Sequence, residues 1–252
     1  MMSRESGVRP RIRGMLTALV LVMVVTGAEF LARRYLIFLS PPLGVYRNND
    51  FLALALVYFL VVFVMLNTPG GKLGVLTVGD FKAFFARLSS DRKYSFIFTI
   101  LIVGFSLSVV IGTALDHLFF KNLTLFAFNP MPVYIKAENP TSIAIVAMAL
   151  LAIVVNGFWV PLAEEMIWRG AIYGNLKPSL GIWLSVIVTA LFFSLKHVAV
   201  DLSLSRVLMV FLFGFWLALI REHAGLAGAA LAHITANTTA TALALILGRL
   251  PR

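Results

Sequence analysis

The sequence predicts an all-α fold, a polytopic membrane bundle of about seven to eight transmembrane helices. Of its 252 residues, 60% are hydrophobic and only 13% are charged, and the mean hydropathy is +0.95. Soluble domains contain roughly 25% charged and about 45–50% apolar residues. Since a membrane helix needs about 20 apolar residues, this composition supplies roughly seven spans. It excludes a secreted domain, a cytosolic enzyme and a disordered tail.

Apolar runs divide the chain into its predicted spans. They cover about residues 15–39, 51–66, 96–115, 142–164, 181–197, 204–220 and 225–247. Residues 1–140 are predicted to form a unit of N-terminal membrane helices, about three spans, that includes a basic segment at 67–95. Residues 141–252 are predicted to form a second unit, a helix core that carries the candidate chemistry.

The charge distribution predicts an orientation in the membrane. The net charge of +10 comes from 21 Lys/Arg against 11 Asp/Glu, and there is no cysteine. Basic residues lie mostly between the apolar runs, and short cytoplasmic loops carry such an excess. We therefore expect a multi-pass protein of the cell (inner or plasma) membrane with its N-terminus and segment 67–95 in the cytoplasm, and no nucleic-acid partner. The lack of cysteine excludes disulfides and a cysteine nucleophile.

Ionisable groups inside apolar spans are costly and therefore informative. In the first span, Glu29 lies four residues before Arg33. Side chains at this spacing share a helix face. We interpret this pair as a structural ion pair.

The first of three further clusters lies just after Pro161, at the end of a long apolar run. Glu165 and Arg169 are four residues apart, so an ion pair within one helix is expected. Glu164 is rotated by about 100° from its neighbour, which leaves its carboxylate free to face another element. A helix end at the headgroups would be the simpler explanation, but apolar residues continue beyond the cluster.

The other two clusters place a histidine one helical turn from a second side chain. Phe193 and His197 close the fifth span, and His233 and Asn237 lie among small residues in the seventh. Small residues permit close helix approach in membranes. Taken singly, His197 could be an interfacial residue, and the other pair could join two helices by hydrogen bonds.

Taken together, the clusters provide a carboxylate, two imidazoles and an amide on three successive spans. A buried carboxylate can act as a general base near neutral pH, with imidazole positioning water or carrying a proton. Imidazole and amide groups can donate hydrogen bonds to an oxyanion. These are the components for hydrolysing an acyl bond without a covalent intermediate.

The order of these clusters resembles the three motifs of a known family. The motifs are Glu164-Glu165-x-x-x-Arg169, Phe193-x-x-x-His197 and His233-x-x-x-Asn237. They are similar to those of the CPBP family (the CAAX-protease and bacteriocin-processing group, or Abi-type proteins), which includes relatives of the Ras-converting CAAX endopeptidase. The resemblance covers roughly residues 140–247.

The resemblance implies an intramembrane endopeptidase of the glutamic type acting on a membrane-associated or lipidated peptide or protein near its terminus. It implies that Glu164 is the general base and that His197 positions the water. It implies further that His233 and Asn237 stabilise the oxyanion. The remaining motif residues would support the site or contact the substrate: Glu165, Arg169 and Phe193.

The main alternative is a peptidase of the same family directed at another substrate, such as a C-terminal sorting tail or a bacteriocin leader, and three more stay open from the sequence. We expect no cofactor, because the chain lacks His-Glu-x-x-His, but a zinc ion held by Glu164, His197 and His233 is an alternative. A non-catalytic membrane protein for bacteriocin immunity or partner regulation would also fit the fold. A small transporter is the third, since intramembrane His and Glu can relay protons.

Overall fold

The structure is a computed structural model that describes residues 5–35, 48–67, 71–120 and 142–246. This part of the chain is almost entirely helical and contains no β-sheet. The α-helices are α1 (Glu5–Tyr35), α2 (Asn48–Leu66), α3 (Val78–Ser90), α4 (Arg92–Phe119), α5 (Ser142–Ala152), α6 (Val160–Glu165), α7 (Tyr173–Asp201) and α8 (Val207–Ile246). A short 3₁₀ turn, Gly71–Gly74, precedes α3, and two π-helical segments, Ile153–Trp159 and Met166–Ile172, flank α6.

The predicted all-α membrane architecture is confirmed, whereas the count of seven to eight spans is not. Among the described residues, four helical stretches are long and apolar enough to cross a membrane: Arg11–Ala32, Arg92–Phe119, Ala149–Asp201 and Val207–Ile246. The last two are interrupted at Gly181 and Gly225, where φ is 74° and 70°. Glycine adopts this left-handed region without steric cost. The interruptions coincide with the predicted starts of the fifth and seventh spans.

Helix α8 is the central element of the bundle and packs against α3, α4, α6 and α7. It approaches α4 closely at Gly112, which has no side chain. A Cβ at this position would lie only 2.6 Å from the Cα of Met209. The buried Asp116 of α4 accepts hydrogen bonds from the backbone N–H groups of Leu208 and Met209 at 2.9 and 2.7 Å. This carboxylate satisfies donors that the first turn of a helix otherwise leaves unpaired.

Large apolar side chains cover much of the outer surface. Exposed examples on α2, α4 and α7 include Phe59, Phe63, Val103, Leu107, Val110 and Trp183. Soluble monomers rarely expose apolar area on this scale. Lipid-facing helices do, which agrees with the membrane assignment.

The N-terminal end of α1 and Ser179 of α7 lie at the same end of the molecule. The hydroxyl of Ser179 donates to the backbone carbonyl of Arg11 at 3.1 Å. Which side of the membrane they face stays a prediction.

Helix α3 begins with a capping box. The backbone N–H of Asp80 donates to the hydroxyl of Thr77, and the backbone N–H of Thr77 donates to the carboxylate of Asp80 at 2.7 Å. The hydroxyl of Thr77 also donates to the carboxylate of Asp80, at 2.7 Å, and this hydrogen bond, together with the one from the backbone N–H of Thr77, lowers the pKa of Asp80 from its ordinary value. From this start, α3 places the buried Phe84 against Gly228 of α8.

Candidate active site

The adjacent glutamates lie on a helix that Pro161 interrupts. Proline has no N–H, so it cannot donate to the carbonyls one turn before it. Just before it the helix has the wider π form, in which the N–H of Val160 donates to the carbonyl of Val155. Single π-helical turns are frequent at functional sites.

Two side chains of α8 bind the carbonyls that Pro161 leaves unpaired. Asn237 donates through Nδ2 to the carbonyl of Asn156 at 3.3 Å. Thr238 donates through its hydroxyl to the carbonyl of Gly157 at 3.0 Å. The proline therefore sets how the glutamate-bearing helix docks on α8, and it holds Asn237 at the site.

All four predicted catalytic residues line one cavity of about 140 Å³. The lining includes Glu164 of α6, His197 of α7, and His233 and Asn237 of α8. Further polar residues in the lining are Glu29, Asn156 and Arg206. The structure thus brings together residues that are 73 positions apart in the chain, from 164 to 237.

Glu164 is almost fully buried and is held through one carboxylate oxygen. Its Oε1 accepts hydrogen bonds from the hydroxyl of Tyr58 at 2.7 Å and from Nζ of Lys196 at 2.8 Å. Its Oε2 lies 3.7 Å from Nε2 of His233. As predicted from helix geometry, Glu164 faces a different direction from its neighbour Glu165.

The predicted ion pair between Glu165 and Arg169 is confirmed, at 3.0 Å between fully buried side chains. Glu165 also lies 2.8 Å, through Oε1, from Nδ1 of His233. Arg169 donates in addition to the carbonyl of Gly214 at 3.1 Å. In the contact between Glu165 and His233, the carboxylate oxygen accepts, so Nδ1 of His233 carries a proton.

Phe193 and His197 are joined through the backbone of α7. Nδ1 of His197 lies 2.9 Å from the carbonyl oxygen of Phe193. A carbonyl only accepts, so the proton of the neutral ring is on Nδ1 and Nε2 carries a lone pair. The Cζ atom of Arg169 lies 4.5 Å from the ring centroid of Phe193. The ring centroids of Phe193 and Trp168 are 5.3 Å apart.

Besides the lining residues Asn156 and Arg206, sequence reasoning did not assign Glu29, Tyr58 and Lys196 to this site. Nζ of Lys196 is fully buried and donates at 2.8 Å to both Glu29 and Glu164. The hydroxyl of Tyr58 lies 2.7 Å from the same two carboxyl groups. Lys196 carried a usable signal, because a lysine inside an apolar span needs a partner. Tyr58 carried none.

The interpretation of Glu29 as a structural partner of Arg33 is therefore incomplete. The side chain of Arg33 is outside the described residues, so that pair is not tested. Glu29 itself is buried, lines the cavity and binds Lys196. It belongs to the site.

The residues at the cavity do not fit a zinc centre. Within the described ranges, no group of three His, Asp or Glu side chains is arranged to hold a metal ion. The ammonium of Lys196 already occupies Oε1 of Glu164. A catalytic zinc site needs three protein ligands with an open fourth position.

Residues 146–239 match the family model described as "Type II CAAX prenyl endopeptidase Rce1-like". The resemblance predicted from the three motifs is thereby confirmed for this part of the chain. The match covers every predicted site residue and indicates a membrane-embedded peptide hydrolase. No curated protein and no solved structure matches the chain.

Proposed function

Because residues 146–239 match the Rce1-like family of CAAX prenyl endopeptidases, we propose that this protein is an intramembrane endopeptidase of the glutamic type. Its substrate is a membrane-associated or lipidated peptide or protein, cleaved near its terminus. We place it in the cell (inner or plasma) membrane with a cytoplasmic N-terminus. The observation that carries the proposal is the common cavity, lined by Glu164, His197, His233 and Asn237.

Water activation is assigned to Glu164 and His197. One oxygen of Glu164 is held by Tyr58 and Lys196, which leaves Oε2 to take a proton from water. Nε2 of His197 carries a lone pair and can accept a hydrogen bond from the same water. The cavity exceeds the ~30 Å³ that a water molecule occupies in the liquid.

The oxyanion is assigned to His233 and Asn237. Nδ1–H of His233 already donates to Glu165, so Nε2 can donate to an oxyanion only when the ring carries two protons. The carboxylates of Glu164 and Glu165 lie on either side of the ring, 3.7 Å from Nε2 and 2.8 Å from Nδ1. Nδ2 of Asn237 uses one proton on the carbonyl of Asn156 and has a second available.

We propose hydrolysis without a metal ion, since the residues do not fit a zinc site. Incubation of the purified protein with a strong chelator should leave its activity unchanged. Full inhibition that added zinc reverses would refute the glutamate mechanism.

Replacement of the general base tests the proposed function. Glu164→Gln keeps the shape of the side chain but cannot take a proton, so we expect turnover to fall by roughly 10²–10⁴-fold or more. Glu222→Gln is the matched control, because Glu222 pairs with Lys177 and is not among the residues lining the cavity.

Two substrates serve for this assay: a prenylated CAAX peptide, and membrane vesicles from the source cell whose protein termini are read by mass spectrometry. Cleavage of either by the wild type and the control, but not by Glu164→Gln, supports the proposal. Absence of cleavage by the wild type in both would favour a non-catalytic role. Wild-type cleavage by Glu164→Gln would exclude the proposed mechanism.

A further inference from the structure

One hydroxyl lies between two buried carboxyl groups. The oxygen of Tyr58, on α2, is 2.7 Å from Oε2 of Glu29 on α1 and 2.7 Å from Oε1 of Glu164 on α6. Nζ of Lys196, on α7, is 2.8 Å from the same two carboxyl oxygens. All four side chains are buried.

The two short contacts of Tyr58 point to a protonated carboxyl group. A hydroxyl has one proton and can donate to only one of the two oxygens. The other contact is a hydrogen bond only if that carboxyl carries a proton and donates to the hydroxyl oxygen. The two carboxyl groups therefore share one proton, and the ammonium of Lys196 stabilises the single negative charge that remains. Close carboxyl pairs in enzymes titrate in this way, with one partner held neutral.

Both members of the pair have access to a reacting group. Glu29 and Glu164 line the same cavity, together with His197 and His233. The titratable and charged groups around the pair are Tyr58 of α2, Lys196 and His197 of α7, His233 of α8, and Arg206 before α8. Lys196 and Tyr58 do not line the cavity, so they act through the carboxyl groups.

We propose that Glu29 is a second catalytic residue, the general acid that protonates the leaving amine. This inference rests on the proposed peptidase function. It extends the site beyond residues 146–239, since Glu29 and the connecting Tyr58 both precede the matched range.

The reaction balances with these two groups. Water oxygen forms a bond to the carbonyl carbon, its proton passes to the Glu164 carboxylate, and the carbonyl π electrons move to the oxygen. The C=O bond then re-forms and the C–N bond breaks. Its electron pair stays on nitrogen, which takes the proton of the Glu29 carboxyl. The products are a carboxylic acid and an amine.

The cycle leaves Glu164 protonated and Glu29 ionised. Rotation of the Glu164 carboxyl group brings its proton from Oε2 to the position that contacts Tyr58, and transfer of one proton through the hydroxyl of Tyr58 to Glu29 then restores the starting state. The two 2.7 Å contacts of that hydroxyl provide the path.

A comparison of leaving groups tests the role of Glu29. An amine leaves only when nitrogen is protonated, whereas a nitrophenolate leaves without a proton. The substrates are a prenylated CAAX peptide and a nitrophenyl ester of the same prenylated cysteine. Glu29→Gln should lower turnover of the peptide by about 10²–10⁴-fold and hydrolysis of the ester by much less. Glu164→Gln should lower both.

The outcomes distinguish failure of the acid role of Glu29 from failure of the proposed peptidase function. Equal losses for peptide and ester in Glu29→Gln would overturn the acid role and leave Glu29 as a structural partner of Lys196. Full activity of Glu164→Gln would overturn the proposed function instead. Glu29→Asp, which keeps a carboxyl on a shorter chain, should recover part of the peptide turnover.

Infrared spectroscopy of the full-length protein in detergent tests the shared proton without any substrate. At neutral pH, the wild type should show the C=O stretch of a protonated carboxyl that shifts in D₂O. Absence of this band would show that Glu29 and Glu164 do not share a proton, even if the protein is a peptidase. Loss of the band in folded Glu29→Gln would support the shared proton.

Discussion

The two sides of the cavity are built differently. On one side, Glu165, Arg169 and His233 all belong to the range that matches the Rce1-like family, and they pair with one another through Oε1 of Glu165. On the other side, Glu164 depends on Lys196, which lies between motif positions, and on Tyr58 from outside the match. The difference shows that the motif residues of one side find their partners within the matched range, while the N-terminal helices supply a partner to Glu164.

Burial explains why both sides need partners. An ionised carboxylate away from water is stable only when it is paired or hydrogen-bonded. Glu165 obtains its cation one turn further along the same helix, at Arg169. Glu164 obtains its cation from α7 and its hydroxyl donor from α2. The unit predicted for residues 1–140 therefore contributes directly to the site.

The largest effect on stability is expected at the buried pair of Glu165 with Arg169. Arg169→Met leaves Glu165 buried without its cation, and breaking a buried ion pair in this way costs about 3–5 kcal/mol. The thermal unfolding midpoint of the protein in detergent should fall strongly. The double variant Glu165→Gln/Arg169→Met removes both charges and should recover much of the loss. An unchanged midpoint in the single variant would contradict the pairing.

A smaller effect is expected at Tyr58, which contacts both Glu29 and Glu164. Tyr58→Phe removes a buried hydroxyl that bonds two carboxyl groups, and hydrogen bonds to charged groups contribute about 1.5–3 kcal/mol. Stability should fall by that order. Turnover of the prenylated CAAX peptide should fall more than that of the ester, because the proton no longer returns to Glu29. Equal losses of peptide and ester turnover in this variant, each relative to the wild type, would exclude the relay.

The smallest effect is expected outside both sides, at the capping box of α3. Thr77→Ala removes a helix cap and should cost about 1 kcal/mol at neutral pH. The folded-state pKa of Asp80 is lowered by Thr77, so this stabilisation is present above pH ~4 and is lost as the pH falls through the folded-state pKa. Denaturation of both proteins between pH 3 and pH 7 measures the difference. A constant difference across this range would show that Asp80 is not coupled to Thr77.

Local patterns in the sequence determined much of the site. Helical spacing predicted the pair of Glu165 with Arg169 and the separate direction of Glu164, and the structure has both. The predicted starts of two spans lie at Gly181 and Gly225, where the backbone leaves the helical conformation. Such features depend on residues within about one turn of each other, so periodicity and glycine geometry suffice to predict them.

Only the tertiary structure decided what surrounds the base. The sequence places Glu29, Tyr58 and Lys196 on three separate spans, and periodicity relates residues only within one helix. Which faces of α1, α2 and α7 meet depends on packing around the whole bundle. The high cost of a buried charge predicted that Glu164 must have partners. Their identity followed from the approach of helices that are distant in the chain.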